Sequence, residues 1–169
     1  MIDLELRTLG AGDERRLALV RGGNGWNSDP GLWRQYLQEQ STGTRLVVLA
    51  WHGGRPVGYG TLLWQSCYAA FREADIPEIN NVVVAAEVRR QGVATRMIHY
   101  LEQCARQAGK SAIGIGVGLY ADYGPAQRLY VDLGFRPDGR GITYNHETVH
   151  PGSTVRADDE LVLWLTKPL

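Results

Sequence analysis

The chain has 169 residues, with 18 lysines and arginines balancing 18 aspartates and glutamates. That length reads as one domain, residues 1–169, with room for a sizeable core. The neutral balance leaves no electrostatic footprint for nucleic acid or an anionic membrane, and no apolar run approaches the ~20 residues of a membrane span. Met1 to Gly10 carries no basic-then-apolar leader. Cys67 and Cys104 match no metal spacing and read as free thiols of a reducing, cytoplasmic setting.

Ile2 to Leu9 alternates and predicts an opening strand. Asp13 to Val20 reads as a short helix, and Arg21 to Asp29 as a glycine-rich loop. Pro30 sits where a helix favours its first proline, with Leu32, Trp33, Tyr36 and Leu37 on one face. Arg45 to Trp51 and Val57 to Trp64 form a hairpin across His52-Gly53-Gly54-Arg55-Pro56. Gln65 to Pro77 reads as a long connection, and Glu78 to Val84 as a strand.

The clearest helical period follows. Ala94, Met97, Ile98, Leu101, Ala105 and Ala108 make one stripe from Val93, which Gly109 stops. Ser111 to Val117 reads as a buried strand. Gly124-Pro125 opens a helix with Ala126, Leu129, Tyr130 and Leu133 on one face, ended by Gly134. Ile142 to Val149 and Glu160 to Thr166 read as the last strands. The order predicts an α/β fold with a mixed central sheet flanked by helices.

The most informative stretch is Arg89-Arg90-Gln91-Gly92-Val93-Ala94. A strand that turns through glycine into a helix leaves the first helical N–H groups without intrahelical partners. The helix dipole adds partial positive charge there, so the turn suits a pyrophosphate. A P-loop would need Lys-Ser/Thr after the glycine, and none follows Gly92. A dinucleotide fold would need Gly-x-Gly-x-x-Gly near the chain start; Gly114, Gly116 and Gly118 merely alternate, late in the chain.

Arg-x-x-Gly-x-Ala after a strand resembles the acyl-CoA loop of the GNAT (Gcn5-related) N-acetyltransferases, Gln/Arg-x-x-Gly-x-Gly/Ala, matched at Arg89, Gly92 and Ala94. Tyr123 to Phe135 resembles that family's Asn-x-x-Ala-x-x-x-Tyr-x-x-x-Gly-Phe. Ala126, Tyr130, Gly134 and Phe135 match, while Tyr123 stands at the Asn position. The order of elements matches the GNAT acyl-CoA N-acyltransferase fold over nearly the whole chain. The resemblance implies an acetyl-CoA co-substrate and no metal. It places the acyl-CoA on Val82, Val84, Arg89, Arg90, Gln91, Gly92, Val93, Ala94, Thr95, Tyr123 and Ala126. It also implies Tyr130 as the acid that protonates the departing thiolate. Glu78, eleven positions before Arg89, occupies the spacing of the catalytic glutamate in the histone-acetylating branch. Strict alternation would put Glu78, Asn80, Val82 and Val84 on one face. Glu73 and Asp75 are runner-up carboxylates.

An alkylammonium must lose a proton before it can attack. Trp26, Tyr68, Phe71, Glu73 and Asp75, with Asp158, Asp159 and Glu160, are expected to give an acidic, aromatic acceptor side suited to a cationic amine. A polyamine or an aminoglycoside is the expected acceptor, with a peptide or protein amine as the close alternative. A non-catalytic acyl-CoA-binding module is the reading from another class, and members of this fold often form homodimers.

His146-Glu147-Thr148-Val149-His150 matches the zinc-protease pattern His-Glu-x-x-His. Thr148 and Val149 favour a strand, on which the two histidines would lie ~13 Å apart. No zinc site is expected there.

Overall fold

The structure, a computed structural model, describes residues 2–20 and 26–169. Most of the predicted Arg21–Asp29 loop lies outside the described residues. Two compact units emerge: residues 1–64 with 79–104, and residues 65–78 with 105–169.

The first unit carries β1 (Glu5–Thr8), α1 (Asp13–Ala18), α2 (Pro30–Ser41), β2 (Arg45–His52) and β3 (Arg55–Leu63). It also carries all but the first residue of β4 (Glu78–Val84) and most of α4 (Val93–Gln107). Its strands run in the order β1-β2-β3-β4, with β1 antiparallel to β2 and β2 to β3. Asp29 caps α2 by accepting the Gly31 N–H at 2.8 Å, with Pro30 in the first turn as expected. On α4, Met97, Ile98, Leu101 and Ala105 are fully buried, whereas Ala108 at the end of the predicted stripe is exposed.

An aromatic cluster fills this unit. Trp33 and Trp26 each meet the Tyr59 ring edge-on, at 4.9 and 5.3 Å, and Trp33 also meets Tyr36 at 5.8 Å. Both indole N–H groups are satisfied: Trp26 donates to Leu17 O and Trp33 to Asn27 O. Trp26 is thus a core anchor. Its burial and its engaged indole N–H set it within the packing of this unit.

Asp13 ties α1 to β1. Its carboxylate accepts two bonds from the Arg7 guanidinium, both 2.7 Å, and the Gly10 N–H at 2.9 Å. The Arg7 bond, aided by the Gly10 amide, holds the Asp13 carboxyl below its usual value of 3.8, against the opposing effect of burial. A lowered folded-state value means stability that is present above 3.8 and lost as pH falls through that lower value. Asp13→Asn is expected to cost about 1–3 kcal/mol, read as a fall in the urea midpoint at neutral pH. The gap to wild type should close in strong acid; an equal gap at both pH values would reject this account.

The second unit carries α3 (Ala69–Glu73), β5 (Ala112–Gly118), α5 (Gly124–Asp132), β6 (Arg136–Tyr144), β7 (Glu147–Thr148) and β8 (Leu161–Pro168). Its strands run β5-β8-β6-β7, and each adjacent pair is antiparallel.

The alternate glycines of β5 have a packing reason. A Cβ on Gly114 would lie 2.1 Å from Phe71 Cε2, one on Gly116 would lie 2.9 Å from Trp164 Cζ3, and one on Gly118 would lie 2.4 Å from Tyr123 Cδ2. Three rings therefore lie directly on one bare face of the strand, and Gly116 pairs across the ladder with Trp164 itself. The opposite face carries the buried Ile113, Ile115 and Val117.

Two expectations are corrected here. The connection from Gln65 to Pro77 contains α3, a helix of five residues that buries Phe71. The predicted strand Ile142–Val149 is a hairpin: β6 starts earlier, at Arg136, and β7 is two residues long. Asn145 and His146, at φ 49° and 67°, form the tight turn between them. The His-Glu-x-x-His match therefore begins in a turn and is not helical. Among the described residues no group of three or more His, Cys, Asp or Glu could hold a metal ion. Cys67 and Cys104 are both free thiols. No helix among the described residues is long and apolar enough to cross a membrane.

Candidate active site

In the first unit the strand-to-helix turn has the geometry its sequence implies. Gly92 takes φ +83°, and a Cβ there would meet nothing within 4 Å, so the backbone can be approached closely. Arg90 is also left-handed, at φ 58°. Arg89, Arg90, Gln91 and Gly92 are exposed, while Val93 is buried and anchors the start of α4. The amides that open this 15-residue helix lack intrahelical acceptors and carry the positive end of its dipole. Ala94 and Thr95 sit half-buried in the first helical turn. Arg89 Nε donates to Val84 O at 3.0 Å, which closes the turn back on the end of β4. These groups fit a pyrophosphate.

Strand β4 departs from the expected alternation. Asn81 lies in the left-handed region at φ 51°. Its Nδ2 donates to the Tyr36 hydroxyl at 2.8 Å, and the preceding Asn80 carbonyl accepts from Thr61 Oγ1 at 3.1 Å. Side chains hold this irregularity from both sides. A strand interrupted in this way loses its period of two, so the shared face of Glu78, Asn80, Val82 and Val84 does not carry through. Val82 and Val84 are half-buried beyond it. The signal lay in the Asn80-Asn81 pair, since asparagine tolerates φ > 0 better than most residues.

In the second unit, Glu78 is 4% exposed, so it is not a solvated residue at the start of its strand. Ser66 Oγ, itself buried, donates to Glu78 Oε2 at 2.5 Å. Ser66 did not stand out in the sequence: a serine in a connecting segment gives no periodic or motif signal.

Tyr130 lies on α5, 7% exposed, its ring tilted against Phe135 at 6.2 Å. The Phe135 N–H donates to Tyr130 O at 3.0 Å as the chain leaves the helix, and Gly134 takes φ +90° to allow it. Burial pushes the Tyr130 phenol up to about 12, so it holds its proton throughout the neutral range. Ala126 is half-buried one turn earlier. Tyr123, at the resemblance's Asn position, spends its hydroxyl on Asp159 at 2.9 Å. Gln127 Nε2 donates to Gly118 O at 2.8 Å.

The other candidates divide. Tyr68 is buried, stacked on Trp164 at 4.4 Å and 5°, with its hydroxyl donated to Asp138 at 2.8 Å. Phe71 is 1% exposed, pressed onto Gly114 and edge-on to both Tyr68 and Trp164. So deep a ring cannot line an open acceptor cleft; Phe71 is corrected to a core residue. Glu73 is exposed, and Asp75 is exposed but bonded to Lys110 Nζ at 2.5 Å. Asp158 and Asp159 form a carboxylate–phenol cluster: Tyr144 donates to Asp158, and Tyr120 and Tyr123 both donate to Asp159 Oδ1. Asp138, which Tyr68 uses, was not among the expected residues.

The buried phenols define an alkaline limit. Burial raises Tyr59, Tyr68 and Tyr130 from 10.0 to about 12. An unfolded chain ionises near 10 and the folded one near 12, so stability is full below pH 10 and falls as pH rises through 12. For Tyr130 alone the two-unit gap corresponds to about 3 kcal/mol. Urea midpoints measured from pH 9 to 12 are expected to fall over that window, and to fall less steeply in Tyr130→Phe. A flat profile would contradict the burial of these phenols.

The pattern of the Acetyltransferase (GNAT) family matches residues 19–135, and the chain belongs to that family. Solved structures agree over almost the full length. Ribosomal-protein-alanine N-acetyltransferase from Brucella melitensis is 20% identical with a TM-score of 0.70, covering 98% of this chain and 99% of that one. A GNAT family acetyltransferase from Elizabethkingia anophelis with acetyl-CoA bound is 19% identical, TM-score 0.62, covering 98% of each chain. An aminoglycoside 6'-N-acetyltransferase complexed with coenzyme A is 16% identical, TM-score 0.66, covering 97% of this chain and 96% of that one. No curated protein matches the sequence. The protein is a GNAT acetyltransferase with the α/β fold, a mixed sheet flanked by helices, that its sequence implied.

Proposed function

We propose that this acetyltransferase moves the acetyl group of acetyl-CoA to the primary amine of a small cationic acceptor, a polyamine or an aminoglycoside. The observation that carries the reading is the buried Glu78 carboxylate, held by the Ser66 hydroxyl. A carboxylate in that setting can take the proton that an alkylammonium must lose. The acceptor nitrogen then forms its C–N bond to the acetyl carbon and sheds a second proton to solvent as the C–S bond breaks. Tyr130 supplies the proton that the thiolate needs, and solvent replaces it. The net products are an N-acetylated amine, free CoA thiol and one released proton.

Acetyl-CoA supplies the activated acyl group. The turn from Arg89 to Ala94, with Thr95 behind it, holds its pyrophosphate on backbone amides, and Val82 and Val84 lie along the strand that leads there. A cationic acceptor is favoured by carboxylates set beside phenol rings: Asp138 with Tyr68, Asp158 with Tyr144, and Asp159 with Tyr120 and Tyr123. Exposed Glu73 adds negative charge to the same unit, whereas the charge of Asp75 is met by Lys110. The likeness to a protein-alanine acetyltransferase supports a second reading, in which the acceptor is a peptide amine.

Thiol release from acetyl-CoA, followed with spermidine, kanamycin and an alanine-terminated peptide, tests these readings. Release with spermidine or kanamycin is the expected result. Release with the peptide alone would move the protein to the second reading. Tight CoA binding without release from any amine would make it a non-catalytic acyl-CoA-binding module.

A further inference from the structure

Around Ser66 the direction of each hydrogen bond is fixed by chemistry. The Tyr68 N–H can only donate, and it donates to Ser66 Oγ at 3.0 Å. The hydroxyl has a single proton, which points to Glu78 Oε2 at 2.5 Å. The order Tyr68 N–H, Ser66 O–H, Glu78 Oε2 therefore has one sense. All three residues are at most 6% exposed, so water does not compete freely for these bonds.

The relay has a stiff mount. Arg72 Nη1 donates to the Ser66 carbonyl at 3.1 Å and to the Cys67 carbonyl at 3.0 Å, which fixes the backbone on either side of the hydroxyl. Tyr68 is held by its stack on Trp164, by the edge of Phe71 at 5.0 Å, and by its own hydroxyl on Asp138. Phe71 in turn has no room to shift, because it lies on the bare backbone of Gly114. The Pro77 carbonyl, next to Glu78, accepts the Gly114 N–H at 2.9 Å.

We propose that Ser66 is a positioning residue for proton removal: its hydroxyl, oriented by the Tyr68 amide, keeps Glu78 Oε2 as an acceptor and fixes the plane of the carboxylate. This rests on the reading of Glu78 as the base. The aromatic cluster of Tyr68, Phe71 and Trp164 thus serves the chemistry at one remove, by holding the serine that holds the base.

The test compares two kinds of acceptor. One is the alkylamine of the panel that releases thiol fastest, which arrives protonated. The other is hydroxylamine, which is neutral at neutral pH and needs no proton removed before attack. Ser66→Ala is expected to lower kcat for the alkylamine roughly ten- to a hundredfold, with KM for acetyl-CoA unchanged. With hydroxylamine, after subtracting the uncatalysed reaction, it should stay within about twofold of wild type. Ser66→Thr, which restores a hydroxyl, should recover most of the alkylamine rate. Ser66→Ala combined with Glu78→Gln should be no slower than Glu78→Gln alone.

A wild-type rate in Ser66→Ala, or an equal loss with both acceptors, would overturn the inference. An unchanged alkylamine rate in Glu78→Gln would instead overturn the base itself. A spectroscopic arm is independent of turnover: the Ser66 hydroxyl proton should exchange slowly enough to be seen by proton NMR and should vanish in Glu78→Ala. Its absence from the wild-type spectrum would defeat the proposal even if no acceptor in the panel reacts.

Discussion

Glu78→Gln is expected to lower kcat for an alkylamine acceptor by about 10²–10⁴, the range associated with removing a general base. The substitution keeps the volume of the side chain, and its carbonyl oxygen can still accept from Ser66, so folding should be preserved. The lost function is proton uptake, since a neutral amide is a far weaker base than a carboxylate. KM for acetyl-CoA should change little, because the pyrophosphate is assigned to the turn at Gly92, which this substitution leaves untouched. With hydroxylamine the variant should approach the wild-type rate. Steady-state thiol release over a range of acceptor concentrations separates these effects. A kcat within twofold of wild type for the alkylamine would remove Glu78 from the mechanism and return the role to water or to another carboxylate.

Gly114→Ala is expected to destabilise the protein by about 3 kcal/mol or more, at the upper end of overpacking effects. The added methyl would start 2.1 Å from Phe71 Cε2, 2.5 Å from Cζ and 2.7 Å from Cδ2. Neither partner can retreat easily. The strand is fixed by its ladder to β8 and by the Gly114 N–H bond to Pro77 O. The ring is fully buried and meets Tyr68 and Trp164 edge-on. A smaller side chain opposite should relieve the clash, so Gly114→Ala with Phe71→Leu should be more stable than Gly114→Ala alone, a coupling that a double-mutant cycle in urea measures. Gly92→Ala makes a useful contrast. It meets no atoms, but φ +83° strains any residue with a Cβ, so its cost should be closer to 1 kcal/mol.

The parts of this protein that the sequence made legible are those set by local rules. Pro30 and Asp29 begin α2 where the proline and the cap demand it. Val93 begins α4 after a glycine turn, and the stripe from Met97 to Ala105 is buried because residues three and four apart share a helix face. Gly109 and Gly134 stop their helices in the left-handed conformation that glycine adopts without a steric penalty. The spacing of Arg89, Gly92 and Ala94 carried the family, and Tyr130 and Glu78 followed from fixed offsets.

What failed has equally physical causes. Helix α3 is too short to display a period, and it forms where Phe71 finds a seat on a different strand. Strand β6 was hidden by Pro137, Gly139 and Gly141, which break the pattern of a strand; its register shifts between Pro137 and Ile142. Alternation along β4 failed at Asn81, whose left-handed backbone is held by Tyr36 through a bond to a residue 45 positions away.

By itself the sequence determined the family, the glycine turn that opens α4 and the identities of the base and acid candidates, because each depends on residues close together in the chain. The tertiary structure decided which aromatic residues are core, why β5 needs three bare positions, and what orients Glu78. Those depend on partners distant in sequence: Phe71 against Gly114, Tyr68 on Asp138 and Ser66 on Glu78. A hydroxyl twelve positions before a carboxylate carries no signal until folding brings the two within a hydrogen bond.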